Sequence, residues 1–446
     1  MYIKLNSFLV VGLKKSGYSI TKLLLSKGAD VYIYDNALEG FTKKNAQELE
    51  SLNAKITTNP LETLNYVDVL VLSPGVPIDN EIAIEARRLN KRIIGELELA
   101  SYFVTSPIIA VTGTNGKTTV CSMLSHVLDS VNEKNFLVGN IGTPLSSKID
   151  EISSDSVLVV EVSSYQLETV SRFCPHISCI LNITPDHLER HYNMENYVFL
   201  KSKLIQNLKE SEYAVLNYDD EMVRSLHKNT KGKVIWFSKT EKVNGAYLEN
   251  GNLTFNEEVV TSASELNLIG MHNIENALAV ITVLKLMGLE NSEIKEGITS
   301  FRGIKHRIEP IKTIDGITFY NDSKSTNPDS TVKAINSIAV PTVLIMGGYE
   351  KGLDYIEVMK AINSSNNIEN LVLTGMSAKS MYDTAIDCKV KNVSVISDFN
   401  ASIRFAYTLA KKGGAVLFSP STSSFDNFSS YEERGEKFIE AVNQLS

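Results

Sequence analysis

The stretch Val111-Thr112-Gly113-Thr114-Asn115-Gly116-Lys117-Thr118-Thr119 lies between an apolar run and a segment of helical periodicity. In such a loop successive backbone N–H groups turn inward and join a helix N-terminus in cradling phosphate oxygens. Gly113, Thr114, Asn115, Gly116, Lys117, Thr118 and Thr119 are therefore candidate phosphate-binding residues. Lys117 would neutralise the β- and γ-phosphates, and the Thr118 hydroxyl would sit on Mg2+. The general phosphate-loop pattern wants glycine five positions before Gly116, where this chain has Val111. An ordinary glycine turn with an exposed lysine is the competing reading; the strand–loop–helix context favours phosphate.

Other reactive side chains stand at the ends of further apolar runs. Glu161 closes Val159-Val160-Glu161, as a metal ligand or water-positioning group, with a structural ion pair an equal alternative. His187, in Asn182-Ile183-Thr184-Pro185-Asp186-His187, falls at a carboxyl strand end among acids, where ligands collect. Its neighbours Asp186 and Glu189 read as solvation of that loop. Asn273, where Gly270-Met271-His272-Asn273 opens an apolar helix, either caps that helix or contacts a base. Arg307 follows a break near Phe301-Arg302-Gly303 and is placed to reach a phosphate across a cleft. Two polar loops, 321–328 and 419–426, offer hydroxyls and Lys324 to a small anionic substrate, with surface turns the plain alternative.

A second glycine loop, Gly12-Leu13-Lys14-Lys15-Ser16-Gly17, follows the apolar run 7–11. A dinucleotide fingerprint needs glycine at position 14, and Lys14 stands there. Asp35, 23 residues after Gly12, has nearly the spacing of a ribose-binding acid. The preferred reading is a nucleotide-diphosphate site without nicotinamide chemistry; the alternative is a Rossmann-like sheet with no ligand.

These loops require strands and helices in alternation. Strand, turn, helix and strand follow one another over 6–35, and a third strand covers 67–72 before Ser73-Pro74-Gly75. The pattern restarts near residue 97 with a strand at 107–112, and further strands are legible at 156–162, 177–183, 213–216 and 234–237. Glu249-Asn250-Gly251-Asn252 turns a hairpin over 245–255. After the break near 301 come strands at 317–320, 342–346, 371–373, 393–396 and 415–418. The expected fold class is α/β in three domains: a Rossmann-like N-terminal sheet, a central phosphate-loop ATPase-type domain and a Rossmann-like C-terminal domain. The boundaries fall at 1–97, 98–303 and 304–446, in keeping with a length of 446 residues.

Composition narrows the class. Lys+Arg 44 against Asp+Glu 52 leaves a net charge of −8, which disfavours sequence-independent nucleic-acid binding. Cys121, Cys174, Cys179 and Cys388 lack CxxC spacing and read as buried thiols in a reducing cytoplasm. The start, Met1-Tyr2-Ile3-Lys4, shows no targeting segment, and no apolar run spans a bilayer. A cytoplasmic, monomeric protein without membrane insertion is expected.

The blocks 113–119, Glu161-Val162-Ser163-Ser164, 182–188 and 272–276 together resemble the Mur ligase family, ATP-dependent amide ligases of peptidoglycan precursor synthesis. Ser73-Pro74-Gly75-Val76-Pro77, 321–327 and 419–428 extend the resemblance over nearly the whole chain. It implies domains for a UDP-linked substrate, ATP and an amino acid, in that order. The implied substrates are UDP-N-acetylmuramoyl-L-alanine, ATP and D-glutamate, with two Mg2+ ions. By the resemblance, Lys15, Ser16, Asp35, Asn36, Ser73, Gly75, Asn140 and His187 hold the UDP substrate, and Asn273 and Arg307 join the loop on ATP. Lys324, Thr326, Lys351, Ser424, Phe425 and Tyr431 would hold D-glutamate. Hydroxyls at Ser421-Thr422-Ser423 replace the small Ala or Cys usual in relatives; Asn427 stands where Gln is common and Tyr431 where Phe is common.

The resemblance also implies a carbamylated lysine. In Leu200-Lys201-Ser202-Lys203-Leu204-Ile205 the family pattern is placed on Lys203 in preference to Lys201. CO2 addition would turn an amine that repels Mg2+ into an anion. Lys117, Glu161, His187 and Lys203 are thus the expected catalytic set, with Thr118, Glu161, His187 and the Lys203 carbamate around metal. Three rivals remain: a nicotinamide oxidoreductase, opposed by Lys14; a phosphate-loop ATPase without ligase activity; and a folylpolyglutamate synthase-like ligase, opposed by the Ser73-Pro74-Gly75 loop.

Overall fold

A computed structural model describes residues 3, 6–268, 270–350 and 352–445, in two compact units, Met1–Phe301 and Arg302–Ser446. The first unit holds two sheets. One is wholly parallel: β1 (Ser7–Val11), β2 (Asp30–Tyr34), β3 (Lys55–Ile56), β4 (Val69–Leu72) and β5 (Arg92–Gly95), in the order β3-β2-β1-β4-β5. Strand order reverses between β1 and β4, so the loops after them, with Gly12 and Ser73, flank the crevice where ligands of such sheets bind.

The other sheet comprises β6 (Ile108–Thr112), β7 (Asn135–Gly139), β8 (Val157–Glu161), β9 (Ile177–Ile180), β10 (Tyr213–Asn217), β11 (Lys233–Ser238), β12 (Gly245–Glu249), β13 (Asn252–Phe255) and β14 (Glu258–Ser262). Its order is β14-β13-β12-β11-β10-β9-β6-β8-β7, and only β13 and β14 run antiparallel to their neighbours. Asn250 and Gly251 turn the β12–β13 hairpin with φ of 50° and 79°, the pair of positive values that such a two-residue turn demands. The strand β14, unread in the sequence, pairs only with β13 and is half exposed. The helix Met271–Leu286 is buried from Asn276 to Leu284 without a polar stripe, because it packs between the sheet and the helix Lys117–Ser130.

The second unit has β15 (Glu309–Ile314), β16 (Ile317–Asn321), β17 (Thr342–Gly347), β18 (Ile368–Thr374), β19 (Val393–Val395) and β20 (Ala415–Phe418), in the order β15-β16-β20-β17-β18-β19. All pairs are parallel except β15–β16. Pro310 and a bulge mark β15 as an edge strand, which hid it from pattern reading. Among the described residues no helix is long and apolar enough to cross a membrane.

Candidate active site

The phosphate loop joins β6 to the helix Lys117–Ser130. Gly116 caps that helix at φ +85°, and a Cβ there would lie 2.5 Å from Asn276 Oδ1. Asn182, after β9, moulds the loop: its carbonyl accepts from Thr114 N (2.9 Å), its Oδ1 from Asn115 N (2.8 Å), and its Nδ2 donates to Asn115 O (3.1 Å). Lys117 Nζ folds over the loop and donates to Gly113 O (2.8 Å) and Thr114 O (2.9 Å). Thr118 and Thr119 form the first turn of the helix behind.

The two lysines of the helix Met194–Gln206 point to different places, and the expectation for Lys203 does not fit. Lys203 Nζ donates to Leu167 O (2.6 Å) and Glu168 O (3.0 Å), away from the phosphate loop. Lys201 is the lysine that reaches the loop: it is buried and donates to Gly113 O at 2.8 Å, the carbonyl that Lys117 also uses. The reason is helical phase. Tyr197, Lys201 and Ile205 recur at four-residue spacing on the buried face, and residue 203 is rotated off it. Burial, then the adjacent Lys117 ammonium, hold the Lys201 amine well below the usual lysine range. Tyr197 stacks under Lys201, with the cation 4.6 Å from its ring centroid, and its hydroxyl lies 3.2 Å from Thr114 Oγ1. Burial pushes that phenol up to about 12, so it stays protonated.

Glu161 ends β8 level with Val111 of β6 and is 2% exposed. Asn140 Nδ2 donates to its Oε1 (2.7 Å), whereas its Oε2 is buried with no hydrogen-bond partner. An orphaned carboxylate oxygen beside a phosphate loop fits a divalent cation. Among the described residues no three His, Cys, Asp or Glu gather as a metal cluster.

His187 takes a left-handed backbone (φ 54°) at the head of the helix Leu188–His191, half exposed, with ring nitrogens 3.5 Å from Asp186 Oδ2 and 3.7 Å from Glu189 Oε1. Those acids therefore face the histidine. His191, which the sequence reading passed over, is buried against Tyr197, and its Nε2 pairs with Ser164 Oγ at 2.9 Å. Burial, then His187, lower its pKa to about 4. Asn273 lies in the first turn of its helix and accepts from Asn276 Nδ2 (3.3 Å); Gly270 occupies the cap, so capping is not its role.

In the first sheet Ser73 Oγ donates to Gly12 O (2.7 Å), drawing together the loops after β1 and β4. Asp35 Oδ2 accepts from Leu13 N (2.7 Å) of the glycine loop, and its Oδ1 accepts from Ala37 N (3.0 Å) in its own loop, so it ties the loop after β2 to the glycine loop. Lys15 and Ser16 open the helix Lys15–Ser26, Asn36 is exposed beside Asp35, and a Cβ at Gly75 would meet nothing.

In the second unit Lys324 and Thr326 sit on the loop after β16, Ser424 and Phe425 on the loop after β20, and Tyr431 opens the helix Tyr431–Asn443. The Lys324 ammonium lies 6.0 Å from the Tyr431 ring centroid, and burial first moves that phenol up to about 12. Thr326 is half-buried, Ser424 buried and Phe425 exposed; Lys351 lies outside the described residues. Arg307 is exposed beside His306. Ser421, at φ 66°, and Ser423 carry buried hydroxyls with no partner. Asp322 accepts from Ser325 Oγ (2.5 Å) and Ser419 Oγ (2.6 Å), and burial raises its pKa to about 6.

Three family models match in succession: Mur ligase MurD-like, N-terminal domain over residues 6–95, Mur ligase middle domain over 111–284, and Mur ligase, glutamate ligase domain over 306–422. The chain belongs to the Mur ligase family, as an ATP-dependent ligase of peptidoglycan precursor synthesis. It is 41% identical to the UDP-N-acetylmuramoylalanine–D-glutamate ligase of Thermoanaerobacter sp. (strain X514) and 38% identical to that of Clostridioides difficile (strain 630), over 100% of both chains in each case. The UDP-N-acetylmuramate-alanine ligase of Thermotoga maritima shares the fold at a TM-score of 0.58 and 20% identity, covering 99% of this chain and 100% of that one. A Thermotoga maritima ligase solved in complex with ADP gives the same TM-score at 15% identity, with 100% of both chains covered.

Proposed function

We propose that this ligase joins D-glutamate to UDP-N-acetylmuramoyl-L-alanine with consumption of ATP, acting as a cytoplasmic monomer. The observation that carries the reading is the phosphate loop itself, where two lysine amines share the Gly113 carbonyl beside the orphaned Glu161 oxygen. A carboxylate is a poor electrophile because its oxygen does not leave. Transfer of the ATP γ-phosphoryl group to the alanyl carboxylate supplies a leaving group; the D-glutamate amine then attacks the carbonyl carbon, and inorganic phosphate departs. Lys117 and the inward N–H groups of the loop bind the phosphates and offset the charge that develops in transfer. Thr118 and Glu161 would hold one Mg2+, and His187 a second; Mg2+ supplies charge neutralisation for two anions brought together. Asn140 and Asn182 orient Glu161 and the loop respectively.

Lys201, rather than Lys203, is the lysine suited to a carbamate. Burial and then Lys117 push the Lys201 pKa well below the usual lysine range, which favours the amine as a nucleophile for CO2, and the product anion would relieve the repulsion between Lys201 and Lys117. The loops after β1 and β4 take the UDP substrate, with the free N–H groups at the head of the helix Lys15–Ser26 facing the diphosphate. Lys324, Thr326, Lys351, Ser424, Phe425 and Tyr431 form the D-glutamate site. Phosphate release with UDP-N-acetylmuramoyl-L-alanine, ATP and a panel of D- and L-amino acids tests the reading. Release with D-glutamate alone is expected; release without any amino acid, or with an L-amino acid in preference, would overturn it.

A further inference from the structure

The C-terminal helix Tyr431–Asn443 carries Arg434, Phe438 and Val442 on one face, all buried. An arginine in an apolar stripe must satisfy its donors internally. The Arg434 guanidinium makes four hydrogen bonds, none to a carboxylate. Nε donates to Ser323 Oγ (3.0 Å), Nη1 to Ser423 O (3.0 Å), and Nη2 to Ser323 O (2.9 Å) and Thr422 O (3.0 Å). Asp322 and Asp426 favour its charge from a distance, yet burial prevails and lowers its pKa to about 10, so the cation persists at neutral pH.

Two of the three residues that anchor this guanidinium adjoin a residue of the amino-acid site. Ser323 precedes Lys324, and Ser423 precedes Ser424. Ser323 Oγ donates onward to Tyr431 O at 2.8 Å. Gly348, on the loop that follows β17, passes so close that a Cβ would fall 2.8 Å from Arg434 Nη1. One cation therefore underlies three loops. The planar fork suits this task, since it presents fixed donors to acceptors on separate segments, which a lysine ammonium cannot match.

We infer that Arg434 is the positioning residue of the amino-acid site: it sets the loops carrying Lys324 and Ser424 and the start of the helix at Tyr431. The inference rests on the reading of this unit as the D-glutamate site.

Steady-state phosphate release by wild type, Arg434→Lys, Arg434→Gln and Ser323→Ala, varying each substrate in turn, tests the role. Arg434→Lys should raise the KM for D-glutamate about tenfold, with the KM for ATP and for the UDP substrate changed less than about twofold. Arg434→Gln should raise it further, and Ser323→Ala by about threefold, because one of the acceptors is lost. Three KM values moving together, or a fall in kcat with an unchanged D-glutamate KM, would overturn the role. Should the Arg434 variants fail to give a cooperative thermal transition, Ser323→Ala decides, and an unshifted D-glutamate KM there overturns it. Wild type that releases no phosphate with D-glutamate overturns the substrate reading itself. Normal wild-type turnover with unshifted variants overturns only the role of Arg434.

Discussion

Lys201 in the first unit and Arg434 in the second are both long cations on the apolar face of a helix, and both donate to backbone carbonyls of functional loops. Burial acts on them differently. Lys201 has one carbonyl acceptor and another ammonium nearby, so its proton is easily lost. Arg434 has four acceptors and delocalised charge, and it remains a cation. The first arrangement leaves a buried amine beside the phosphate loop. The second ties together the loops after β16 and β20. Both units also hold a non-glycine residue in the left-handed region at the loop concerned, His187 at φ 54° and Ser421 at φ 66°, where local strain is held by the surrounding fold.

The largest effect that tests this contrast is on the phosphate loop. Lys117→Ala should cut phosphate release about a thousandfold while leaving the thermal transition nearly in place, since the loop lies over an intact sheet. Near-normal turnover would remove the loop from the mechanism. Next comes the lysine pair. Lys201→Ala should lose about a hundredfold or more in kcat, with partial recovery in a short-chain carboxylic acid that occupies the vacated space. Lys203→Ala should keep most activity and instead lower the melting temperature, because the Leu167 and Glu168 carbonyls lose their donor. Equal kinetic losses would erase the distinction.

A smaller effect belongs to the second unit. Ser424→Ala should raise the KM for D-glutamate about tenfold and leave those for ATP and the UDP substrate in place. A shift confined to the UDP substrate would show that this unit does not hold the amino acid. The mildest effect concerns pH. The native pKa of His191, about 4, lies below the ordinary value of 6.5. Between these values the unfolded chain binds a proton that the native protein does not, so stability falls as pH drops from 6.5 to 4 and levels off below. His191→Asn should flatten that slope in urea melts at successive pH values; an unchanged slope would assign it to other groups.

Much of this was legible in the sequence where a single strand, turn and helix suffice. The strand–loop–helix around Lys117 and the Asn250-Gly251 hairpin follow from local rules, and the structure contains both. Three-dimensional phase was harder. Lys201 and Lys203 differ by two residues, and the family resemblance implies the carbamate on the second, whereas the spacing of Tyr197, Lys201 and Ile205 identifies the buried one. The same signal marks Arg434, four residues before Phe438, although the run Glu432-Glu433-Arg434 resembles a solvated helix face. Asn182 lies in a block the sequence offers, but its role comes from contact with the distant Asn115, and His191 acts through the distant Ser164 and carries no local signature. Edge strand β15 escaped because Pro310 breaks its pattern.

The most direct test of the contrast between the two buried cations is 13C NMR of the protein equilibrated with 13C-labelled bicarbonate. A buried Lys201 amine at the phosphate loop, its pKa lowered by burial, predicts a carbamate carbonyl resonance in wild type and in Lys203→Ala that is absent from Lys201→Ala. A resonance that survives in Lys201→Ala and vanishes in Lys203→Ala, or none at all in fully active wild type, would contradict it.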